Sequence, residues 1–171
     1  IFINYKKFPF ESGQSYKMIE EESINAREEL KRADHLIYVS LKYTRTVDVI
    51  VSVIARLISA QRMTIDEVLE FLEKKKKIKK VDFSKPYKIK VDLVRDKMKK
   101  DDTVIKFLDF YDYLVKIMKA DHIKKEEFRK NVRLIAEDKS GNIFDEVGIE
   151  VLKQYYRNVC DHIEKIEKMM K

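Results

Sequence analysis

Glycine and proline are so scarce in this chain that its backbone has few places to leave a helix. The 171 residues include three Gly and two Pro, and neither type occurs between Gln14 and Lys85. These two residue types most often end helices and form tight turns. The sequence therefore predicts an all-α fold, a bundle of about five or six helices. A chain of this length can bury one hydrophobic core, so we expect residues 1–171 to form a single helical domain.

Apolar residues recur at helical spacing in the first part of the chain. Small and branched side chains form one narrow stripe at Ile19, Ser23, Ala26, Leu30, Ala33, Ile37 and Leu41. A broader apolar face follows from Val47 to Ile58. Both patterns have the three- and four-residue spacing of a helix. Residues 15–61 are therefore predicted to form either one long helix or two helices separated by a kink near residues 44–46.

Further elements are predicted after residue 61. Thr64 and Glu67 have the spacing of a capping box, which predicts that a new helix begins there. Later apolar stripes predict helices over residues 104–118, 123–135 and 144–170. Between residues 81 and 91, apolar and polar side chains alternate around a Ser-Lys-Pro turn. This alternation favours a small β-hairpin as the alternative to a helix.

The first 13 residues differ in composition from the rest of the chain. They contain four aromatic rings, at Phe2, Tyr5, Phe8 and Phe10. We expect residues 1–13 to be an aromatic arm, either an edge strand or a docked tail. Together with the small-residue stripe, the arm would suit a homodimer or a partner helix. Because the chain begins with Ile1 rather than Met, we also expect it to be a piece of a longer protein.

Positive charge is concentrated in residues 74–100, here called the basic segment. It contains 13 Lys or Arg and three Asp, a formal charge of +10, whereas the whole chain carries +7. A polyanion would therefore meet a stronger local field than the whole-chain charge suggests. Lysines can hold phosphates while aromatic rings stack on exposed bases. The predicted binding residues for RNA or another polyanion are Lys74, Lys75, Lys76, Lys77, Lys79, Lys80, Phe83, Tyr87, Lys88 and Lys90.

The other interpretation of the basic segment is a solvated, lysine-rich connector between helices. Lysine-rich runs are common on protein surfaces, and Arg, which reads bases better than Lys, occurs once in this segment. Charge alone does not decide between the two interpretations.

Several enzyme and membrane classes find no support in the sequence. There is no Gly-rich phosphate loop and no pair of carboxylates at catalytic spacing. Cys160 lies two residues from His162, so the two side chains point apart on a helix. The longest apolar run, residues 47–60, is shorter than the roughly 20 residues of a membrane span. We therefore expect no membrane partner.

Metal and disulfide chemistry are also not expected. Each of the three His follows an Asp, in Asp34-His35, Asp121-His122 and Asp161-His162. Neighbouring helical side chains point about 100° apart, so these dipeptides cannot chelate a metal from one helix face. The single Cys excludes an internal disulfide and is compatible with a reducing cytoplasm. We expect a cytoplasmic protein with no metal and no cofactor.

The run Arg157-Asn158-Val159-Cys160-Asp161-His162 resembles the signature of HEPN helical-bundle ribonucleases, an Arg, a polar residue and a His with four residues between Arg and His. The resemblance implies a metal-independent endoribonuclease that works as a dimer. It would place Arg157 and His162 at the cleaved phosphate, with Asn158 as the supporting polar residue. On an ordinary helix, Arg157 and His162 point about 140° apart, so a helix break or a second subunit would have to bring them together.

A second resemblance covers residues 32–46. Arg32-Ala33-Asp34-His35-Leu36-Ile37-Tyr38 and Lys42-Tyr43-Thr44-Arg45-Thr46 are similar to uncharacterised helical proteins of archaea, a likeness that implies no activity. Tyr38, Lys42, Tyr43 and Arg45 are expected to fix the helix junction by packing and hydrogen bonding. The leading functional hypothesis is therefore a non-enzymatic interaction module that binds RNA or another polyanion. The alternative is an HEPN-like ribonuclease.

Overall fold

The protein is mostly helical but also contains a small sheet. A computed structural model describes residues 25–171, so the predicted arm at 1–13 and the start of the first apolar stripe lie outside the described residues. The elements are α1 (Ala26–His35), a π-helical turn (Leu36–Ser40), α2 (Leu41–Thr44), α3 (Val47–Lys74), α4 (Tyr87–Lys97), α5 (Asp102–Lys119), β1 (Asp121–Lys125), β2 (Arg133–Glu137), β3 (Ile143–Gly148) and α6 (Ile149–Met170).

Residues 26–74 form two helical stretches rather than one rod, the first running from α1 through the π-helical turn to α2 and the second being α3. Asn25 begins α1 by accepting a hydrogen bond from the backbone N–H of Glu28. The chain passes through the π-helical turn into α2, which ends at Arg45 in the left-handed conformation, with φ of 48°. Helix α3 then begins after Thr46, which has an extended backbone. Of the two predicted alternatives, the kinked one describes this region.

Helix α3 is the centre of the fold. It contacts α1, α4, α5, α6 and strand β2. Thr64 is fully buried within it, and its hydroxyl donates to the carbonyl oxygen of Ala60 at 3.1 Å. The prediction that a helix begins at Thr64 is therefore wrong, because this side chain bonds the preceding turn instead of capping a new one.

The β-hairpin predicted at residues 81–91 is also absent, because residues 87–97 form α4. The buried residues of α4 are Lys90, Val91 and Val94, which have helical spacing. Pro86 precedes the helix with φ of −55°, a backbone geometry that leads easily into a first helical turn. Of the alternating apolar residues, Val81 and Phe83 lie in the segment between α3 and α4, and Tyr87, Ile89 and Val91 lie on α4.

A three-stranded antiparallel sheet replaces the helix predicted at residues 123–135. Strand β2 lies between β1 and β3, and Ile123 pairs with Ile135. Three consecutive residues of β2, Leu134, Ile135 and Ala136, are buried. Strand β3 takes residues 143–148, so α6 begins at Ile149 rather than near Phe144. The all-α prediction is therefore right only in the coarser sense that the described part is mostly helical.

Among the helices formed by residues 25–171, none has both the length and the apolar character needed for a transmembrane span.

Candidate functional site

The basic segment comprises the last residue of α3, the connector of residues 75–86, all of α4 and residues 98–100. Lys76 takes a left-handed backbone conformation with φ of 54°. The backbone N–H of Lys77 donates to the carbonyl of Leu72 at 2.9 Å, and that of Lys75 to the carbonyl of Phe71 at 3.0 Å. These bonds close the carboxyl end of α3. The chain is thereby turned back, and the connector lysines face α4.

A groove of about 410 Å³ lies between the connector and α4, here called the lysine groove. Its cationic residues are Lys77, Lys79, Lys80, Lys85, Lys90 and Lys97, and its apolar residues are Ile78, Val81, Ile89 and Leu93. A neighbouring depression of about 560 Å³ shares Lys77 and Lys97 and adds Lys99 and Lys100, together with the carboxylates of Asp101 and Asp102. The two together form one extended basic surface.

Most lysines of the basic segment are not neutralised by carboxylates, although the predicted binding residues Lys74, Lys75, Lys76 and Lys88 line neither the groove nor the depression. Within residues 25–171, no Asp or Glu oxygen lies within 4.0 Å of the ammonium groups of Lys74, Lys75, Lys76, Lys77, Lys79, Lys80, Lys85, Lys88, Lys99 and Lys100. The carboxylate in the groove lining, Asp82, accepts hydrogen bonds from the hydroxyl and the N–H of Ser84 at 2.6 and 3.0 Å. These two bonds lower the pKa of Asp82. The surface therefore carries a large excess of positive charge.

Two of the predicted binding residues, Lys90 and Tyr87, already form hydrogen bonds within the protein. Lys90 is only 4% exposed and donates to Asp66 Oδ1 at 2.9 Å. The Tyr87 hydroxyl donates to Asp66 Oδ2 at 2.7 Å, and its ring lies against Arg62 and Lys90. Burial and the bond to Asp66 raise the pKa of Tyr87. Lys90 and Tyr87 thus hold α4 on α3, whereas Phe83 keeps 39% of its surface exposed.

The residues that sequence reasoning left out of the binding set are Lys85, Lys97, Lys99 and Lys100. They contribute to the charge of the basic segment, but they are separated along the chain from the run at 74–80. Only the turn after α3 and the position of α4 bring them beside it. The net charge of the whole segment was the one sequence signal that included them.

The three HEPN-like residues all lie on α6, which is continuous from Ile149 to Met170. Arg157 is exposed and donates to Gln154 Oε1 at 3.2 Å. Asn158 Oδ1 accepts from Gln154 Nε2 at 2.8 Å. His162 is half-buried and meets the rings of Phe107 and Phe110 edge-on, with centroid distances of 6.5 and 6.0 Å. A single subunit does not bring Arg157 and His162 together, and the ribonuclease hypothesis remains a prediction.

The half-buried position of His162 predicts that the stability of the folded protein depends on pH. Burial lowers the pKa of His162 below its ordinary value of 6.5. The unfolded chain then takes up a proton that the folded state resists, so this residue destabilises the protein as the pH falls through 6.5 and below. We expect the urea midpoint to fall between about pH 7.5 and about pH 5.5, and to fall less in His162→Phe.

The exposed His35 provides the control for this experiment. The variant His35→Gln should keep the pH dependence of the wild type. A His162→Phe variant that lost stability with acid as steeply as the wild type would show that His162 is not responsible.

The three histidines lie in separate places. His35 is exposed, His162 faces aromatic rings, and Nε2 of His122 donates to the carbonyl oxygen of Ile117 at 2.7 Å, at the end of α5. In the part of the chain that the structure describes, no three His, Cys, Asp or Glu side chains gather as a metal ion would require. No known family model matches the chain, and no curated protein or solved structure is significantly similar to it.

Proposed function

We propose that the protein is a non-enzymatic binding module that holds RNA, or another polyanion, in the lysine groove. The observation that supports this most directly is the convergence of four connector lysines without a carboxylate partner, Lys77, Lys79, Lys80 and Lys85, on one concave surface beside α4. Like charges gathered in this way repel one another, and phosphates would relieve that repulsion. In a connector that is merely solvated, this repulsion would favour lysines that lie apart rather than gathered in one groove.

The chemistry of the groove favours binding without sequence selectivity. Lysine is a strongly hydrated point charge that pairs with phosphates and does not form the planar, two-pronged contacts by which Arg reads bases. Ile89 is 50% exposed and Phe83 is 39% exposed beside these lysines, so sugars or bases can contact apolar surface there. We therefore expect phosphates to supply most of the affinity and binding to depend strongly on salt.

The test removes three groove charges at once. In Lys79→Gln/Lys80→Gln/Lys85→Gln we expect affinity for a labelled single-stranded RNA to fall on the order of tenfold at low salt. The slope of log affinity against log salt concentration should become shallower by about 2, because each single-strand phosphate contact contributes roughly 0.7. Fluorescence anisotropy over a salt series measures both quantities.

A matched control carries the same change in net charge at a distant place. Lys165, Lys168 and Lys171 are exposed at the end of α6, and Lys165→Gln/Lys168→Gln/Lys171→Gln should bind RNA like the wild type. Equal losses in the two triple variants would mean that only total charge matters. An unchanged affinity in the groove variant would contradict the proposal.

The same incubations, run with EDTA and resolved on denaturing gels, test the ribonuclease alternative. A binding module leaves the RNA intact. Cleavage that survives EDTA and disappears in His162→Ala and Arg157→Ala would replace our proposal by an HEPN-like endoribonuclease. A dimer detected by light scattering would then provide the second subunit that is needed to bring the two side chains together.

A further inference from the structure

A second surface with unusual chemistry lies at the other end of α3. Tyr43 is 76% exposed, Phe128 is 75% exposed and Tyr38 is 49% exposed. Aromatic side chains are usually buried, because they contribute strongly to the stability of a core. Helix α3 has 28 residues and is about 42 Å long, and this surface and the lysine groove lie toward its opposite ends. The expectation that the tyrosines fix the helix junction by packing is not what the structure shows.

The backbone holds these rings outward at a fixed place. The N–H of Phe128 donates to the carbonyl oxygen of Arg45 at 2.8 Å, which ties the loop after β1 to the junction before α3. Glu127 strengthens this link by accepting from the N–H of Val47 at 3.1 Å. Arg45, Glu126 and Phe128 all have positive φ, at 48°, 52° and 66°. Such conformations are uncommon for residues other than Gly and often occur at functional sites.

The local charge around the rings is positive. The Lys42 ammonium lies 5.7 Å from the Tyr43 ring, and the Lys153 ammonium lies 5.7 Å from the Tyr38 ring. Among residues 25–171, no carboxylate lies within 4.0 Å of the cationic groups of Lys42, Arg45, Arg129 and Lys130.

Four carboxylates of this region share two cations. Lys124 pairs with Asp48 at 3.0 Å and with Glu127 at 3.9 Å, and Arg133 pairs with Glu126 at 3.6 Å and with Glu146 at 3.2 Å. The four cations without a carboxylate partner outnumber the two negative charges left over, so the charge beside the exposed rings is positive and complementary to phosphate.

We propose that Tyr38, Lys42, Tyr43, Arg45 and Phe128 form an aromatic platform for unpaired bases of single-stranded RNA. Bases stack on the rings of Tyr43 and Phe128, and the flanking cations contact the neighbouring phosphates. The inference takes RNA as the ligand from the proposed function and adds that the strand must be single, because a duplex hides its base faces. Charged residues are depleted at the cores of protein–protein interfaces, so the excess of cations beside these rings favours a phosphate-bearing ligand over a protein partner.

The test compares single-stranded, duplex and base-free ligands on the full chain. In Tyr43→Ala/Phe128→Ala we expect affinity for single-stranded oligouridylate to fall about tenfold or more, since each stacked base contributes appreciably. Affinity for duplex RNA and for an abasic oligonucleotide of the same length should stay unchanged. The conservative double variant Tyr43→Phe/Phe128→Tyr keeps both rings and should bind like the wild type.

Two further measurements keep the result interpretable. Ile143 is a similarly exposed apolar residue on β3, and Ile143→Ala should leave all three affinities unchanged. Ultraviolet crosslinking of the unaltered protein to oligouridylate should attach uridine to the peptides that contain Tyr43 or Phe128, which tests the platform without any substitution.

The platform and the lysine groove can fail separately. Unchanged single-strand affinity in Tyr43→Ala/Phe128→Ala, with crosslinks confined to the lysine groove, would overturn the platform and leave the groove proposal standing. Loss of self-association rather than of RNA affinity would also overturn it, since the rings would then form a protein contact.

Discussion

Replacing Asp66 with alanine is expected to lower the free energy of unfolding by about 3–5 kcal/mol. The Asp66 carboxylate accepts from Lys90 Nζ at 2.9 Å and from the Tyr87 hydroxyl at 2.7 Å. Because Lys90 is 4% exposed, its ammonium cannot exchange the lost carboxylate for bulk water. An unpaired charge would therefore remain between α3 and α4. Urea unfolding followed by circular dichroism measures the loss.

A double substitution separates the buried charge from other effects. If the unpaired ammonium causes the loss, Asp66→Ala/Lys90→Met should recover most of the stability, because an apolar side chain of similar length needs no partner. Asp109 supplies a surface control, since its carboxylate pairs with Arg95 while 60% exposed. Asp109→Ala should cost no more than about 1 kcal/mol. An equally small loss for Asp66→Ala would show that Lys90 reaches solvent and is available to anions.

Asp145→Ala is the second substitution with a large expected effect, a loss of roughly 3–5 kcal/mol. One oxygen of Asp145, Oδ2, accepts from the hydroxyl groups of both Tyr113, at 2.7 Å, and Tyr155. Tyr113 lies on α5 and Tyr155 on α6, so this carboxylate of β3 ties the sheet to two helices. Burial raises the pKa of both tyrosines, and the bond to Asp145 is the second-largest cause of the increase. Each bond to a charged acceptor contributes about 1.5–3 kcal/mol.

Neighbouring substitutions decide whether the two hydroxyl bonds explain that loss. In a Tyr113→Phe/Tyr155→Phe background, Asp145→Ala should cost much less, because the donors are already gone. Glu146 follows Asp145 on the same strand and pairs with Arg133 at the surface, so Glu146→Ala should cost about 1 kcal/mol or less. A full loss that persisted in the double-Phe background would assign the effect to the strand itself.

Much of the helical framework follows from local pattern. The apolar stripe of residues 104–118 corresponds to α5, and that of 144–170 corresponds to α6 after its first residues. These segments are long, and a helix satisfies its own backbone hydrogen bonds, so periodicity over several turns is a reliable guide. The positive charge of residues 74–100 was likewise readable, because charge depends only on composition.

Short strands without a turn signal between them were not readable in this way. Strands β1 and β2 have five residues each, and their backbone groups are satisfied by each other and by β3. Ile123, Phe128, Val132 and Ile135 have helical spacing, yet this pairing overrides it. The loop between β1 and β2 contains no Gly or Pro, and its positive-φ residues are Glu126 and Phe128, so no turn signal in the sequence separated the two strands.

The amino-acid sequence by itself determined the predominance of helix and the location of the basic segment. Only the tertiary structure decided which cations remain available, because the approach of α4 to α3 buries Lys90 against Asp66 while leaving Lys79, Lys80 and Lys85 open. It also decided the exposure of Tyr43 and Phe128, through one backbone bond between the loop after β1 and the junction before α3. Burial and convergence depend on which distant segments meet, and local propensity does not contain that information.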